Sequence, residues 1–497
     1  MSDEDTSGAA AEGGEPGLPI VIIGSGFSGL GMGILLKQAG IHSFTILEKA
    51  GDVGGTWRDN VYPGAACDIP SHLYSYSFEP NPAWSRAFSP QPEILGYLRR
   101  CAKKYGIEPH IRFHAEVERA VFDDATATWT VHTKDGKSLR ARALVVGNGA
   151  LHIPAFPAIE GRESFQGKAF HSARWDHEYD LTGKRVAVIG TGASAIQFVP
   201  QIAPKVSKLH LFQRTPPWIV PRLDRAFSDA ERSAFERLPI WHRAYRASIY
   251  WKLEAQVLGF TSAPVIMKLG AKLAKKHLEA SIQDPKLRAA LTPNYRMGCK
   301  RILLSDDYYP ALTRPNVELV TDPIEAITPA GVLTRSGALR EVDVIVYGTG
   351  FNVSEYIAPI HIQGSGGRDL NTLWRVSPEA YLGITVSGFP NLYLLMGPNT
   401  GLGHNSMIFM IEAQVRYALQ CIQALRDRGL SSMDVRPDVM TSFNAVLQDK
   451  LSRTVWASGC RSWYQTEGGR NSAIWPGFTW AYWLRTRRVE LSDYVLR

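Results

Sequence analysis

Two glycine patterns, each set after a short apolar run, carry the first chemical signal in this chain. Gly24-Ser25-Gly26-Phe27-Ser28-Gly29 follows Ile20-Val21-Ile22-Ile23, and Gly190-Thr191-Gly192-Ala193-Ser194-Ala195 follows Val186-Ala187-Val188-Ile189. A buried strand, a glycine turn and a helix aim helix N-terminal amides at a pyrophosphate. One such pattern is weak evidence; two in the right context, a domain's length apart, predict two bound dinucleotides and electron transfer between them. The ends of the second strands differ in chemistry. Phe44-Thr45-Ile46-Leu47 ends at Glu48, whose carboxylate can accept from both hydroxyls of an unphosphorylated ribose. Leu209-His210-Leu211-Phe212 ends at Gln213-Arg214-Thr215, where a guanidinium and a hydroxyl suit a 2′-phosphate that an acid would repel. The first site therefore reads as FAD and the second as NADPH, the competing reading of Arg214 being a solvated strand-end residue.

The elements that must position these groups follow the α/β pattern. The expected fold is two Rossmann-like dinucleotide-binding domains, for FAD and NADP, with an inserted helical subdomain. Residues 17–150 and 385–497 are assigned to a discontinuous FAD-binding domain and 151–384 to the NADP-binding domain. Strands are expected at Val117–Phe122, Thr128–Thr133, Ala143–Val146, Val317–Val320, Val342–Tyr347 and Asn391–Met396, and a long helix from about Ser406 to Arg426. The insertion spans about 227–290, without strand alternation. Its apolar residues Trp241, Tyr245, Tyr250, Trp251 and Leu253 are expected to pack between helices, with membrane-surface contact as the lesser reading.

Composition narrows the function class. The length of 497 residues allows two or three domains, and the net charge of +8 is modest for that size. No basic block interleaved with aromatics suggests nucleic-acid binding. The five cysteines (Cys67, Cys101, Cys299, Cys421, Cys460) form no C-x-x-C pair, which argues against a dithiol reductase and a metal site. Each is expected to be a small buried residue in a reducing compartment. Residues 1–16 read as a disordered tail rather than a signal peptide. No apolar stretch is long enough to span a bilayer, so a cytoplasmic protein with no integral membrane segment is expected.

Two longer strings add specificity. Phe165-Gln166-Gly167-Lys168-Ala169-Phe170-His171-Ser172-Ala173-Arg174-Trp175-Asp176 fits F-x-G-x-x-x-H-x-x-x-W-[P/D]. Gly54-Gly55-Thr56-Trp57, Tyr62-Pro63-Gly64 and Asp68 fit a second spaced pattern. On these residues and both fingerprints, in that order, the chain resembles the type I Baeyer–Villiger monooxygenases, class B flavin-dependent monooxygenases. The resemblance runs from about Ile20 to the C-terminus. It implies an enzyme using FAD, NADPH and molecular oxygen to convert ketones or aldehydes to esters or lactones through a C4a-peroxyflavin, with sulfoxidation as a side activity.

The implied residues follow. Arg301 resembles the catalytic arginine, Asp68 its active-site acid, and His171 the signature histidine tied to domain movement and NADP placement. Gly24, Gly26, Phe27, Gly29, Glu48, Gly55, Thr56, Trp57, Asp68 and Tyr74 are assigned to FAD. Gly190, Thr191, Gly192, Ser194, Arg214, Thr215 and Lys300 are assigned to NADPH. Taken alone, Arg301 is an exposed residue after a turn, Asp68 a turn or cap, and His171 a hinge residue. Trp475 reads equally as a pocket wall or as core. A fixed guanidinium at 301 would keep a peroxide anion deprotonated and stabilise the charge that develops on a carbonyl adduct. An N- or S-hydroxylating flavin monooxygenase and a non-oxygenating NADPH-dependent flavin reductase stay open as alternatives, as does a monomer or a dimer.

Overall fold

The computed structural model describes residues 18–352, 356–460, 462–466 and 468–497, so the tail expected at 1–16 lies outside the described residues. β1 (Ile20–Ile23), α1 (Phe27–Gln38), β2 (Phe44–Leu47) and β3 (Ala143–Val146) build the first nucleotide unit. All four β1 residues are buried, as a strand covered on both faces requires. The sheet is wholly parallel, in the order Leu392–Leu394, β3, β1, β2, Ile111–Arg112, with Ile20 opposite both Phe44 and Ala143.

The second unit repeats the plan with β4 (Arg185–Ile189), α2 (Ala195–Ile202), β5 (Lys208–Phe212) and β6 (Val344–Tyr347). Its parallel order is Val317–Val320, β5, β4, β6, Lys168–His171. The expected insertion forms between β5 and Val317. It comprises Asp229–Arg237, α3 (Pro239–Glu254), Val257–Thr261, α4 (Pro264–Ser281) and Pro285–Leu291. α5 (Met407–Asp427) packs on α1, and α6 (Thr479–Thr486) packs on α5.

Three expectations need revision. The chain returns to the first domain before residue 385: His361–Gln363 pairs in parallel with Arg119–Val121, and Ile357, Ile360 and Ile362 join the core beneath β1 and β3. Cys299 and Cys460 are disulfide-bonded with Cα atoms 6.3 Å apart, while Cys67, Cys101 and Cys421 are free and buried. Trp241 and Trp251 are 55 % and 59 % exposed rather than packed between helices, because the buried side of α3 is taken by His242 and Glu254.

The fingerprint glycines serve two distinct steric needs. Gly24 has φ +91°, and a Cβ on Gly29 would stand 1.8 Å from the Gly24 carbonyl oxygen, which only hydrogen allows. A Cβ on Gly26 would meet nothing nearer than the Gly55 Cα at 3.8 Å, so that position is open on the ligand side. Gly29→Ala is therefore expected to lower the melting temperature of the flavin-free protein, at a cost of about 1–3 kcal/mol from overpacking. Gly26→Ala should leave that melt unchanged and weaken only flavin retention. Differential scanning fluorimetry of the two apoproteins checks the pair.

Candidate active site

Each glycine turn opens onto a helix end without a side-chain cap: Gly26 precedes α1 and Ser194 precedes α2. Uncapped first-turn amides are the donors an anion needs. The turn at Gly55 lies against the first cradle, with Gly55 at φ +52° and its missing Cβ 3.3 Å from the Gly26 Cα. Beyond it, Trp57 donates Nε1–H to the Tyr74 hydroxyl at 3.1 Å, and Phe27 meets the Tyr74 ring edge-on at 5.4 Å. Gly55, Thr56, Trp57, Phe27 and Tyr74 thus stand together beside Gly24 to Gly29. At the end of β2, buried Glu48 accepts from the Ser25 amide at 3.0 Å and the Ser25 hydroxyl at 2.7 Å. It also pairs with Arg58 Nη1 at 2.8 Å. The sequence reading missed Arg58, although it adjoins Trp57 within the same motif.

The second cradle carries no acid of this kind. Arg214 is exposed at the end of β5, and Thr191 donates its hydroxyl to the Thr215 carbonyl at 3.3 Å. The Lys300 ammonium is 4.9 Å from the Tyr295 ring centroid. Burial first, and then the like charge of Arg214, lowers the Lys300 pKa. Two neighbouring cations of this kind suit a divalent anion.

Arg301 sits beside Lys300 in sequence but is bound to the loop that carries Asp68. It donates Nε–H and Nη2–H to Asp68 Oδ2 at 3.1 and 2.5 Å, and Nη1–H to the Leu402 carbonyl at 3.3 Å. The two side chains keep 29 % and 30 % exposure, so the pair is screened but reachable. Asp68 raises the affinity of the guanidinium for its proton against the opposing effect of burial. Burial alone would raise the Asp68 carboxyl, but Arg301 outweighs it and holds the acid below the ordinary carboxylate range. Buried Tyr464 stands near both charges, its phenol pushed up by burial to about 12.

The loop that bears Asp68 is clasped to the second domain. Gln197 on α2 accepts from the Tyr62 hydroxyl at 3.0 Å and donates to the Ala66 carbonyl at 3.0 Å. Arg222 donates to the Cys67 carbonyl at 2.8 Å. Gln197, Arg222, Tyr464 and Leu402 were not singled out from the sequence, since nothing in their local spacing marks a long-range contact.

His171 ends the strand Lys168–His171, opposite Tyr347 of β6. It is buried, and its Nδ1 accepts from the Ala173 amide at 3.1 Å. Nε2 therefore carries the ring proton, and that donor has no partner among the described residues. Burial pushes the ring down to about 4, so it is neutral at pH 7. The structure does not bring His171 to the Arg301–Asp68 pair; its ring lies among Phe156 and Phe351 at the interdomain crossover. Trp475 is half-buried: its amide donates to the Gly401 carbonyl at 2.9 Å, and its ring meets Tyr482 edge-on.

Comparison with known proteins bears on the family and the fold. The family profile "Pyridine nucleotide-disulphide oxidoreductase" matches residues 21–228. A Baeyer–Villiger monooxygenase of Pseudomonas aeruginosa is 50 % identical over 498 residues, covering 100 % of this chain and 94 % of that protein. One of Streptomyces coelicolor is 48 % identical over 481 residues, 96 % of this chain and 92 % of that protein. The chain belongs to the Baeyer–Villiger monooxygenase family. Among solved structures, a steroid monooxygenase bound to NADP superposes with a TM-score of 0.86 at 30 % identity, over 97 % of this chain and 99 % of that one. A closed cyclohexanone monooxygenase gives 0.86 at 28 % identity, over 97 % of this chain and 99 % of that one. Members of this family are flavin monooxygenases, and this chain carries their two-Rossmann fold with the helical subdomain.

The depressed Asp68 carboxyl fixes the sign of a pH dependence. Its contribution to stability is complete above the ordinary aspartate pKa, about 3.9, and is lost as pH falls through the lower folded-state value. Asp68→Asn should therefore lower the melting temperature at pH 7. The gap from the native protein should narrow only below about pH 4. Thermal melts across pH 3–8 check this; a gap that closes near pH 6 would place the titration elsewhere.

Proposed function

We propose that this chain is an FAD- and NADPH-dependent Baeyer–Villiger monooxygenase that inserts one atom of molecular oxygen beside the carbonyl of a ketone or aldehyde, giving an ester or lactone. The observation that carries the reading is the Arg301–Asp68 pair at the seam where the two cradles meet. The Gly26 opening, the uncapped α1 terminus and Glu48 fit FAD. The uncapped α2 terminus with Arg214, Thr215 and Lys300 fits the 2′-phosphate of NADPH. Similar proteins with FAD and NADP bound support the same pairing of cofactors.

When bound, FAD reduced by NADPH supplies the oxygen-activating flavin. The residues of the chain supply position and charge. Arg301 presents a guanidinium that cannot lose its proton at working pH, and it would stabilise negative charge developing beside it on the bound flavin or the substrate carbonyl. Asp68 and the Leu402 carbonyl fix its orientation. Neutral His171 keeps an Nε2–H donor free for the second dinucleotide. Gln197 holds the Asp68 loop against α2, so movement of the second domain is transmitted to the acid. We divide the chain into an FAD-binding domain of 18–150 with about 356–497, and an NADP-binding domain between them. Every group named comes from one chain. The working compartment is the cytoplasm, where NADPH is supplied. No single helix among the described residues is long and apolar enough to cross a membrane.

Two substitutions test the assignment. Arg301→Ala should leave flavin reduction by NADPH near normal and depress ester formation by a factor of about 10²–10³ or more, the usual loss of a preorganised charge donor. Single-turnover reduction is compared with mass spectrometry of products from labelled oxygen, with a ketone and an amine in parallel. Retained ester formation refutes the role. Arg214→Ala should raise the Michaelis constant for NADPH far more than for NADH; equal effects would reverse the cofactor assignment.

A further inference from the structure

The helical insertion turns much of its apolar surface outward. On α3, Ile240 is 82 % exposed, with Trp241 and Trp251 above one half. Ile240, Ala244, Ala247, Trp251 and Ala255 recur at helical spacing on one exposed stripe, and exposed Arg243 and Lys252 flank it. The segment Pro239–Thr261 and α4 meet at a 107° bend. On α4, Val265, Leu269 and Leu273 are each more than half exposed at i, i+4 and i+8. Exposed Lys268, Lys272, Lys275 and Lys276 surround them.

α6 extends the same surface. Its Thr479 hydroxyl meets the Tyr250 hydroxyl at 3.0 Å, and its Thr479 amide donates to Glu254, so the neighbouring residues Trp251 and Trp480 belong to joined helices. Trp480, Trp483 and Leu484 are exposed there, with Arg485, Arg487 and Arg488 beside them.

Exposed apolar residues concentrated on consecutive and joined helices mark an interaction site rather than ordinary surface. Its charge selects the partner. Residues 237–281 contain eight Lys or Arg and two acids; Arg246 is turned inward onto His72 and Ser75, and Glu254 is buried and hydrogen-bonded, which leaves seven cations against one acid. Tryptophans next to apolar residues, with long cationic side chains between them, match the depth profile of a lipid headgroup layer, where indoles sit at the interface and lysines reach phosphates. A protein partner would require acids or apolar residues shaped to this bend, whereas a lipid surface requires only anionic charge and an apolar interior.

We infer that α3, α4 and α6 form a docking face for an anionic phospholipid bilayer, on which the protein lies peripherally without spanning it. The face is joined to the active site through Glu254, which accepts from Asn405 at 2.6 Å, three residues beyond the Leu402 carbonyl that holds Arg301. Docking thus brings the bilayer to the helix whose end adjoins the reaction site.

Vesicle sedimentation of the full-length holoenzyme tests this, because its readout does not depend on catalysis. The protein should sediment with phosphatidylglycerol–phosphatidylcholine vesicles, stay in solution with pure phosphatidylcholine, and be released by high salt. Trp241→Ser with Trp251→Ser should keep the native melt and weaken binding roughly tenfold, as buried apolar area is lost. Lys268→Glu with Lys272→Glu and Lys276→Glu should weaken it on the order of a hundredfold, since each surface cation contributes about a factor of five. Failure to sediment with anionic vesicles overturns the inference, as does wild-type binding by the tryptophan variant. A dimer in sedimentation equilibrium that the tryptophan variant splits would assign the face to a second copy and also overturn it.

Discussion

Arg301 and Asp68 lie 233 residues apart in sequence, and the ion pair between them at 2.5 Å is the contact on which the site depends. It ties a loop of the first nucleotide domain to the chain leaving the helical insertion. A pair taken wholly out of water would pay a large desolvation cost. Here each side chain keeps about a third of its exposure, which lowers that cost and leaves the guanidinium reachable. Two donors on one carboxylate oxygen fix the plane of the guanidinium, and the Leu402 carbonyl holds its far edge. Lysine could not copy this: it has no fork, and desolvation would erode its charge.

The same economy separates the two nucleotide sites. Each strand–glycine–helix unit supplies the same backbone donors, so backbone alone cannot tell one dinucleotide from another. Discrimination falls to the groups at the ends of β2 and β5. Glu48, pinned by Ser25 and Arg58, would repel a 2′-phosphate, whereas a divalent anion would relieve the like-charge repulsion between Arg214 and Lys300. Lys300 and Arg301 are adjacent in sequence but have different partners: Lys300 lies over the Tyr295 ring, and Arg301 is bound to Asp68.

Short-range chemistry was legible in the sequence, and long-range chemistry was not. The β1-α1-β2 and β4-α2-β5 units were readable because apolar runs, glycines and strand-end charges are all local. The extent of the insertion was readable because helical composition interrupts strand alternation over 60 residues. Arg301 and Asp68 were recognisable only through family resemblance, since neither spacing nor composition predicts a contact across 233 residues. Gln197, Arg222 and Leu402 escaped notice for the same reason. The return of the chain near 356 was missed because His361–Gln363 is a three-residue strand whose partner, Val117–Asp123, is remote. The outward turn of Trp241 and Trp251 was missed because a helix with apolar residues on both sides gives no periodic signal for which side is covered.

The guanidinium is held by backbone as much as by its ion pair. Leu303–Leu304, two residues beyond Arg301, pairs with Ile219–Val220, fixing the chain downstream. Cys299, two residues before it, is cross-linked to Cys460, fixing the chain upstream. The segment after Cys460 returns to the same place: the Asn399 amide donates to the Ser472 carbonyl and the Gly401 amide to the Ala473 carbonyl, both at 2.7 Å. Leu402 follows directly and accepts from Arg301. Backbone contacts on both sides of Arg301 and at Leu402 therefore meet around one side chain, each contributed by a segment remote in sequence. Gln197 and Arg222, from the same part of the chain as Arg301, also hold the loop that bears Asp68, so acid and guanidinium are positioned together.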